Sequence, residues 1–402
     1  MPRFRTLDDI DVRGKRVLVR ADLNVPVKDG VVTDATRIER LAPTIALLIE
    51  KGAKVIVMSH FGRPKGKRDP ALSLRMLIAP LSRAIGGRDV VFAEDCIGAE
   101  AKRVIMALRP GQVALLENLR FYKEEEANSP DFARALAELG DVYVDDAFSA
   151  AHRAHASIDA LARLLPSAVG KLMQAELTAL TAALEKPRRP VLALIGGAKV
   201  STKLDLLRFL IGKVDSLVVA GAMANTFLFA DGREIGRSLC ERDMAGSARS
   251  ILALAGQRNC RVVLPEDAVV AATLEPGIAA RTVGIEAVPS DMMILDVGAA
   301  TVTRIAAVLD ASGTLVWNGP LGAFETPPFG RGTVAVAKKI GELTRAGKLL
   351  SIAGGGDTVA ALAAAGVTDE LSYVSTAGGA FLEWLEGREL PGVAALATGG
   401  NQ

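Results

Sequence analysis

The chain has 402 residues, half of them hydrophobic, with 48 lysines and arginines against 46 aspartates and glutamates. This length and composition predict two or three domains with substantial buried cores. The near balance of charge excludes the basic excess that binding to nucleic acid or to an anionic membrane surface requires, so any basic site must be local.

The cysteines and the hydropathy pattern bear on the location of the protein. Cys96, Cys240 and Cys260 are far apart and lack metal-ligand spacing, which favours a reducing compartment without disulfides or structural zinc. The first residues contain no apolar signal segment, and the longest uncharged apolar stretch, residues 216–230, is too short to span a bilayer. We therefore expect a cytoplasmic protein with no membrane partner.

Short apolar runs alternate along the chain with alanine- and leucine-rich segments of helical spacing. This alternation predicts βαβ units and therefore the α/β class with parallel sheets. In the first half, the predicted strands are residues 16–19, 54–58, a short strand near Val90, 113–116 and 142–144.

The segments that follow four of these strands each supply an arginine. They are residues 20–24, 59–64, 117–120 and 145–155, and they include all three histidines. Because open α/β sheets bind ligands at the carboxyl ends of their strands, we expect these segments at one edge of the sheet. Arginine presents a planar fork of donors that matches carboxylate or phosphate, and Asp22 and Asn24 could orient hydroxyl groups. The pattern predicts a site for a small anion, with solvated surface charge as the alternative for any single arginine.

A predicted helix over residues 171–185, stopped by Pro187 and Pro190, divides the chain into nearly equal halves. We therefore predict two doubly wound parallel-sheet domains of similar size joined by a helical hinge. The N-terminal domain covers residues 1–170, the interdomain helix and hinge 171–188, and the C-terminal domain 189–385.

In the second half of the chain, the segments that follow the predicted strands contain glycines and lysines rather than arginines. Lys199 and Lys203 are four residues apart and would share one face of the helix that follows. A bound polyphosphate would turn their repulsion into attraction, and solvated surface lysines are the alternative. The predicted strands here are residues 191–195, 217–220, 262–264, 293–295, 315–317 and 349–353.

The run SIAGGGDT at residues 351–358 is the clearest phosphate signal. Three glycines would let an anion approach the bare amides of a helix start, and Asp357 could hold a cation beside it. A tight turn is the alternative. The second half has neither a Walker A loop nor a GxGxxG dinucleotide fingerprint. Elsewhere in this half, Glu325 could accept hydrogen bonds from the hydroxyl groups of a ribose.

An arginine-rich anion site and a glycine-lysine polyphosphate site on separate domains predict a transfer reaction between two ligands. Phosphoryl transfer fits, because its transition state spreads negative charge that a protein stabilises by positioning, charge neutralisation and exclusion of water. If the donor and acceptor oxygens are already ionised, no proton-abstracting base is needed. In such a reaction, cations provide most of the catalysis. The candidates for these cations are Arg37, Lys199 and Lys203, together with a metal at Asp357.

Seven segments together resemble the phosphoglycerate kinase family, in family order and nearly from end to end of the chain. They are residues 20–26 (RADLNVP), 59–64 (SHFGRP), 116–121 (LENLRF), 151–157 (AHRAHAS), 196–203 (GGAKVSTK), 317–320 (WNGP) and 354–358 (GGGDT). The resemblance implies reversible transfer of the acyl phosphate of 1,3-bisphosphoglycerate to MgADP, giving 3-phosphoglycerate and MgATP.

The resemblance also implies roles for single residues. Around 3-phosphoglycerate on the N-terminal domain it places Asp22, Asn24, Arg37, His60, Arg63, Arg120 and Arg153. Around the nucleotide it places Lys203, Asn318, Glu325, Gly354, Gly355, Gly356, Asp357 and Thr358, with the magnesium of ADP or ATP at Asp357. The catalytic cations are Arg37, Lys199 and Lys203.

The family further implies in-line transfer after hinge closure, as a step of glycolysis and gluconeogenesis, and we expect a monomer. The C-terminal segment, residues 386–402, should fold back onto the N-terminal domain, with residues 375–379 near the hinge. Three positions differ from the expected pattern. Asp145 stands where asparagine is commoner, and Ser149 and Ala377 stand where glycine is frequent.

Two other classes of function are weaker alternatives. A dinucleotide-dependent dehydrogenase could use two doubly wound domains, but the missing fingerprint counts against it. A nucleic-acid-binding module could use the arginines, but aromatic residues make up only 4% of the chain and the charge is nearly balanced. We therefore expect no nucleic-acid partner.

Overall fold

The computed structural model describes residues 4–397, which form two compact units. One unit contains the chain up to Thr178 together with the segment that begins at Glu389, and the other is Ala179–Arg388. The last part of the predicted C-terminal segment, residues 398–402, lies outside the described residues. None of the described helices combines the length and the apolar composition needed to cross a bilayer.

The first unit contains eight described strands. They are β1 (Arg16–Arg20), β2 (Val27–Lys28), β3 (Val31–Val32), β4 (Lys54–Met58), β5 (Val90–Ala93), β6 (Val113–Leu116), β7 (Val142–Asp145) and β8 (Ser167–Val169). Its helices are α1 (Thr36–Glu50), α2 (Ile78–Ala84), α3 (Gly98–Met106), α4 (Lys123–Glu126) and α5 (Pro130–Ala137). The next helix, α6 (Lys171–Leu184), contains the division between the two units.

Six of these strands form a parallel sheet in the order β5-β6-β4-β1-β7-β8. The central strands are mostly apolar, and nearly all of their residues are buried, as expected for a sheet covered on both faces. On α1, Ile38, Leu41, Ile45 and Leu48 recur at helical spacing and are buried in the core beside the sheet.

The second unit repeats this architecture. Its strands are β9 (Val191–Ile195), β10 (Ser216–Val219), β11 (Arg261–Val263), β12 (Asp267–Ala271), β13 (Arg281–Gly284), β14 (Met293–Val297), β15 (Thr314–Asn318), β16 (Leu350–Gly354) and β17 (Tyr373–Ser375). Its helices are α7 (Leu204–Ile211), α8 (Ala222–Ala230), α9 (Ala245–Gln257), α10 (Ala299–Asp310), α11 (Arg331–Arg345), α12 (Gly356–Ala365) and α13 (Gly379–Leu385). The last described helix, α14 (Pro391–Leu396), belongs to the first unit.

The second parallel sheet has the order β11-β10-β9-β15-β16-β17. Strands β10 and β11 lie to one side of β9, and β15 to β17 lie to the other, so the winding direction changes between β9 and β15. Strands β13, β12 and β14 form a separate antiparallel sheet with its own small core.

The predicted fold class, two parallel α/β sheets, is confirmed. The strand predicted at residues 293–295 exists as β14, but it belongs to the antiparallel sheet rather than to a parallel one. Strands β8 and β17, which complete the two parallel sheets at their edges, were not predicted. Each has only three residues, too few to give a recognisable hydrophobic run.

Candidate functional site

The loops after β1, β4, β6 and β7 form what we call the first half-site: residues 20–24, 59–64, 117–126 and 145–157, with Arg37 on α1. Strand β1 pairs with β4 on one side and β7 on the other, so the loops after these strands are neighbours. Oδ1 of Asn24, after β1, accepts a hydrogen bond of 2.9 Å from the amide of Gly62, after β4. The exposed Arg63 follows in the same loop.

Asp22 and Arg37 form an ion pair in this half-site. Nη1 of Arg37 donates to Oδ2 of Asp22 at 2.8 Å and to the main-chain oxygen of Asn24 at 3.0 Å. The amide of Asn24 donates to Oδ1 of Asp22, also at 3.0 Å. The side chain of Asp22 is 9% exposed and that of Arg37 is 38% exposed. The acid is therefore held inside, while part of the guanidinium is accessible to a ligand.

Positive charge surrounds His60. Arg20 is fully buried, and its Nη2 lies 3.2 Å from Nδ1 of His60. Because a guanidinium can only donate, Nδ1 accepts and the imidazole proton is on Nε2. Burial, and then the charges of Arg20, Arg120 and Arg153, hold the pKa of His60 well below its usual value. Burial and the same arginines lower the pKa of His155 to about 3, so both rings are neutral at pH 7.

Two further arginines of the cluster are held in place by neighbours. Arg120 is buried, and its Nη1 donates to a main-chain oxygen of the β4 loop at 3.0 Å. Its Nε lies 3.3 Å from Oε1 of Glu126, and burial, partly offset by this carboxylate, lowers the pKa of Arg120. Nε of the half-buried Arg153 donates to Nε2 of His152 at 3.1 Å. The structure thus brings Arg120 and Arg153 to the neighbourhood of His60.

The sequence patterns missed the group that holds Arg20. Its Nε donates to Oγ of Ser157 at 2.8 Å, and this hydroxyl donates in turn to Oε1 of Glu125 at 2.5 Å. The amide of Ser157 donates to Oε2 of the same carboxylate at 2.9 Å. Glu125 is completely buried, which raises its pKa although Arg20 acts in the opposite direction. In the sequence, Glu125 belongs to a run of three glutamates, which is typical of the exposed first turn of a helix and gives no indication of burial.

Two adjacent carboxyl groups at the end of β7 are also buried. Burial raises the pKa of Asp145 to about 6 and that of Asp146 to about 7. Oδ1 of Asp145 accepts from the amide of Ala147 at 2.9 Å. Oδ1 of Asp146 accepts from the amide of Met173 at 3.0 Å, which joins the end of β7 to the first turn of α6.

The second half-site, residues 196–203, 318–325 and 354–358, lies where the second sheet changes its winding direction. Gly196 follows β9 and Gly319 follows β15, and a Cβ on either would overlap main-chain atoms of the other loop. Gly319 also has a φ of 99°, which residues with side chains rarely adopt. Bare main chain therefore forms the floor of this half-site.

The prediction that Lys199 and Lys203 share one helix face is wrong, because α7 begins only after Lys203. The turn before the helix leaves Lys199 exposed and directs Lys203 inward. Nζ of Lys203 donates to the oxygen of Gly196 at 2.5 Å and to Oδ1 of Asn318 at 2.7 Å. Burial lowers the pKa of Lys203 to about 8, and the charge of Asp357 opposes that shift.

The three glycines join β16 to the start of α12. Strand β16 ends at Gly354, and Gly355 has a φ of 99°, which accounts for glycine there. Nδ2 of Asn318 donates to the oxygen of Gly354, and the amide of Gly319 donates to Oγ1 of Thr358, each at 2.7 Å. Asn318 and Thr358 are almost completely buried. They therefore connect the ends of β15 and β16 and fix the loop at the helix start.

A cavity of about 320 Å³ lies beside these loops. Glu325 and Asp357 both line it and are both exposed, so the structure brings these two predicted residues to one cavity. Its apolar wall includes Leu239, Leu274, Met293, Ile294 and Phe324. None of these five residues was assigned by number to a ligand from the sequence, and Met293 and Ile294 were predicted only as part of a strand, because an apolar side chain carries no signal that separates a ligand wall from a core.

Asp357 is the residue of this half-site that could hold a metal ion. No three described His, Cys, Asp or Glu residues come together as a metal site. Mg²⁺ usually keeps several waters and is bound through one or two carboxylates together with substrate phosphates. A single exposed carboxylate in the first turn of α12, beside a glycine loop, therefore fits a magnesium ion that arrives with a nucleotide.

The chain matches known proteins over its whole length. Residues 7–388 match the family model described as phosphoglycerate kinase. The phosphoglycerate kinase of Methylorubrum extorquens strain PA1 is 60% identical over 401 residues, covering all of both chains. That of Rhizobium leguminosarum is 59% identical over 397 residues, covering 98% of this chain and 99% of the relative.

Solved structures give the same result. The structure of phosphoglycerate kinase from Coxiella burnetii matches with a TM-score of 0.91 at 42% identity, over 98% of this chain and 99% of that one. The crystal structure of the enzyme from Pyrococcus horikoshii matches with a TM-score of 0.78 at 31% identity, over 98% of each chain.

The two neutral histidines provide a direct test of the first half-site. We expect NMR titration to show His60 and His155 uncharged down to pH 5, because burial and three arginines disfavour their protonated forms. Adding inorganic phosphate should raise both pKa values, since an anion offsets the repulsion. The same chain unfolded in urea should titrate near pH 6.5 and serves as the control. Ordinary pKa values in the folded protein would contradict the cluster.

Asp145→Asn should stabilise the protein only at higher pH. The folded pKa of Asp145 is about 6 against an ordinary value of 3.8, so its ionisation between pH 4 and 6 destabilises the fold. The gain in free energy of unfolding over the parent should rise across that range to about 3 kcal/mol and stay constant above it. Denaturant titrations from pH 4 to 8 measure this gain, with the exposed Asp131→Asn as control. A gain that does not change with pH would refute the assignment.

Proposed function

The chain belongs to the phosphoglycerate kinase family, the phosphotransferases with a carboxyl group as acceptor, and from that premise we propose its reaction in detail. The protein transfers a phosphoryl group reversibly and with magnesium between 1,3-bisphosphoglycerate and ADP, giving 3-phosphoglycerate and ATP in glycolysis and gluconeogenesis. The observation that carries this proposal is the cluster of arginines around His60 in the first half-site, of which Arg20 and Arg120 are buried and only partly neutralised, together with a cavity beside the glycine loops of the second unit.

The first half-site binds 3-phosphoglycerate in this proposal. Its phosphate and carboxylate are anions that guanidinium groups recognise through paired hydrogen bonds, and its hydroxyl suits a carboxylate or amide acceptor. The proposed ligand residues are Asp22, Asn24, Arg37, His60, Arg63, Arg120 and Arg153. The proton that the Arg20 contact assigns to Nε2 of His60 makes this ring a neutral donor to the ligand.

The second half-site binds the nucleotide. The apolar wall of the cavity suits the base, and the exposed carboxylate of Glu325 suits the ribose hydroxyls. The loop from Gly354 to Thr358 presents the start of α12 to the phosphates, where amides and the helix dipole favour negative charge. Lys203 contacts these phosphates, and Asn318 acts by holding Lys203 and the glycine loop.

The chemistry needs cations rather than a base. An acyl phosphate and a nucleotide phosphate react through oxygens that are already ionised, so charge stabilisation and alignment lower the barrier. Arg37, Lys199 and Lys203 neutralise the phosphoryl group as it moves in line between the two oxygens. When bound at Asp357 with the nucleotide, magnesium adds neutralisation of the phosphate charge.

The remaining parts of the proposal concern the whole chain. Because the two half-sites belong to different units, transfer requires closure about a hinge, which we assign to residues 171–188. The N-terminal domain, residues 1–170 with the C-terminal segment, takes 3-phosphoglycerate, and residues 189–385 take the nucleotide. We further propose a cytoplasmic monomer, consistent with the balanced charge and with cysteines that are all free in the structure.

A coupled assay for ATP formation from ADP and 1,3-bisphosphoglycerate tests the reaction. The parent protein should be active, and Arg37→Ala should lower kcat by roughly two orders of magnitude, since one preorganised charge contact is typically worth that much. Arg103→Ala, which removes an exposed arginine of the same unit, should have near-normal activity. An inactive parent would refute the proposed function, and near-normal activity of Arg37→Ala would refute its role.

The metal assignment is tested by nucleotide binding. Asp357→Asn should weaken the binding of ADP by at least about tenfold when magnesium is present, because the variant loses a ligand of the ion. In EDTA, both proteins should bind ADP equally. Calorimetric titrations measure both, with the exposed Asp369→Asn as the matched control. An equal loss of affinity with and without magnesium would assign Asp357 to the nucleotide itself.

A further inference from the structure

Ser149 stands in the turn after β7, at a position where the family resemblance leads us to expect glycine. The residue is half-buried in a short 3₁₀ turn, Phe148–Ala150. Its Oγ donates to Oδ2 of Asp22 at 2.5 Å. That same oxygen accepts the hydrogen bond from Nη1 of Arg37 at 2.8 Å. A hydroxyl that glycine cannot supply therefore contacts the acid that holds Arg37.

We propose that Ser149 is a positioning residue that fixes the Asp22 carboxylate, and through it Arg37, for 3-phosphoglycerate. The inference rests on the proposed function of the first half-site and adds a residue that this assignment does not contain. Ser149 itself need not touch the ligand.

The hydrogen bonds of Asp22 explain why one more donor matters. A carboxylate has about four acceptor positions, and the terminal torsion of an aspartate is broad, so bonds rather than rotamer preference set its orientation. Here Oδ1 is held by the amide of Asn24, and Oδ2 by Arg37 and Ser149. Without the hydroxyl, the only partner of Oδ2 in this set is Arg37, a long side chain that is 38% exposed. The pair would lose part of its preorganisation before the ligand arrives.

The turn itself does not depend on the hydroxyl. The amide of Asp146 donates to the oxygen of Arg20 at 2.9 Å, and the amide of Ala150 donates to the oxygen of Ala147 at 2.8 Å. Main-chain bonds thus hold the loop on both sides of Ser149. We therefore expect Ser149→Ala to fold normally and to change the side chain of Asp22 rather than the path of the main chain.

Steady-state kinetics of Ser149→Ala and Ser149→Thr separate positioning from a purely structural role. Ser149→Ala should raise the KM for 3-phosphoglycerate by roughly three- to tenfold, the effect of losing about one hydrogen bond. Its kcat and its KM for ATP should stay within about twofold of the parent values. Ser149→Thr keeps a hydroxyl and should restore the parent KM. Ser82→Ala removes a half-buried serine hydroxyl of the same unit that donates to a main-chain oxygen, and serves as the control.

A double-mutant cycle tests whether Ser149 acts through Asp22. In an Asp22→Ala background, which has no acceptor for the Ser149 hydroxyl, Ser149→Ala should cause little further loss of 3-phosphoglycerate affinity, whereas independent roles would give additive losses. Calorimetric titration with 3-phosphoglycerate measures this without relying on turnover, and thermal melts check that each variant is folded.

The outcomes distinguish this inference from the proposed function. An active parent with an unchanged KM in Ser149→Ala overturns the inference alone. Additive losses in the cycle, or failure of a folded Ser149→Thr to restore the KM, also overturn it. A parent that neither binds nor converts 3-phosphoglycerate overturns the proposed function and the inference with it.

Discussion

The buried guanidinium of Arg20 is the charge around which the first half-site is arranged. Removing an ion from water costs several kcal/mol unless partners replace the lost hydration. Arg20 recovers part of that cost through Ser157 and Glu125, but burial also raises the pKa of Glu125, so the compensation is incomplete. Burial, and then the excess positive charge, keeps His60 and His155 neutral by lowering their pKa values. A bound anion would relieve this repulsion. The free energy that the repulsion costs the free protein is then recovered on binding and strengthens the affinity for the ligand.

The second half-site favours negative charge by different means. Its floor is main chain brought together at the change of winding direction, which is possible only because Gly196 and Gly319 lack side chains. Its cation, Lys203, is held by oxygens of the same loops and already has a lowered pKa. One unit therefore uses guanidinium groups on strand-end loops, and the other uses backbone geometry with a single inward lysine. The first suits a small ligand with two charged ends, and the second suits a chain of phosphates.

The sequence predicted most of the fold because most strands of the parallel sheets are continuous apolar runs and many turns carry glycine. Strands β1, β4, β6 and β9 were predicted to within a residue, and the glycine loop after β16 was expected at the start of a helix. The contact of Arg20 with Ser157 joins positions 137 residues apart, and no local pattern indicates such a pair. The inward turn of Lys203 was missed because helical spacing was assumed for residues that lie before the helix. The placement of β14 depends on pairing with β12, which a strand's own sequence does not encode.

Two of the three residues that differ from the pattern expected from the family resemblance are Asp145, at the end of β7, and Ser149, in the turn that follows, and both act on the balance between acids and arginines. Asp145 places a carboxyl near the charge of Arg20, and with a pKa of about 6 this group is largely ionised at pH 7. It therefore supplies Arg20 with a second counter-charge, but at the cost of burying that charge. Ser149 acts on the other acid, Asp22, by adding a donor to the oxygen that holds Arg37. Neither change replaces a residue expected to touch the ligand. Both act on groups that lie next to the proposed ligand residues. The charge and orientation of those groups determine how rigidly an arginine is held for the ligand.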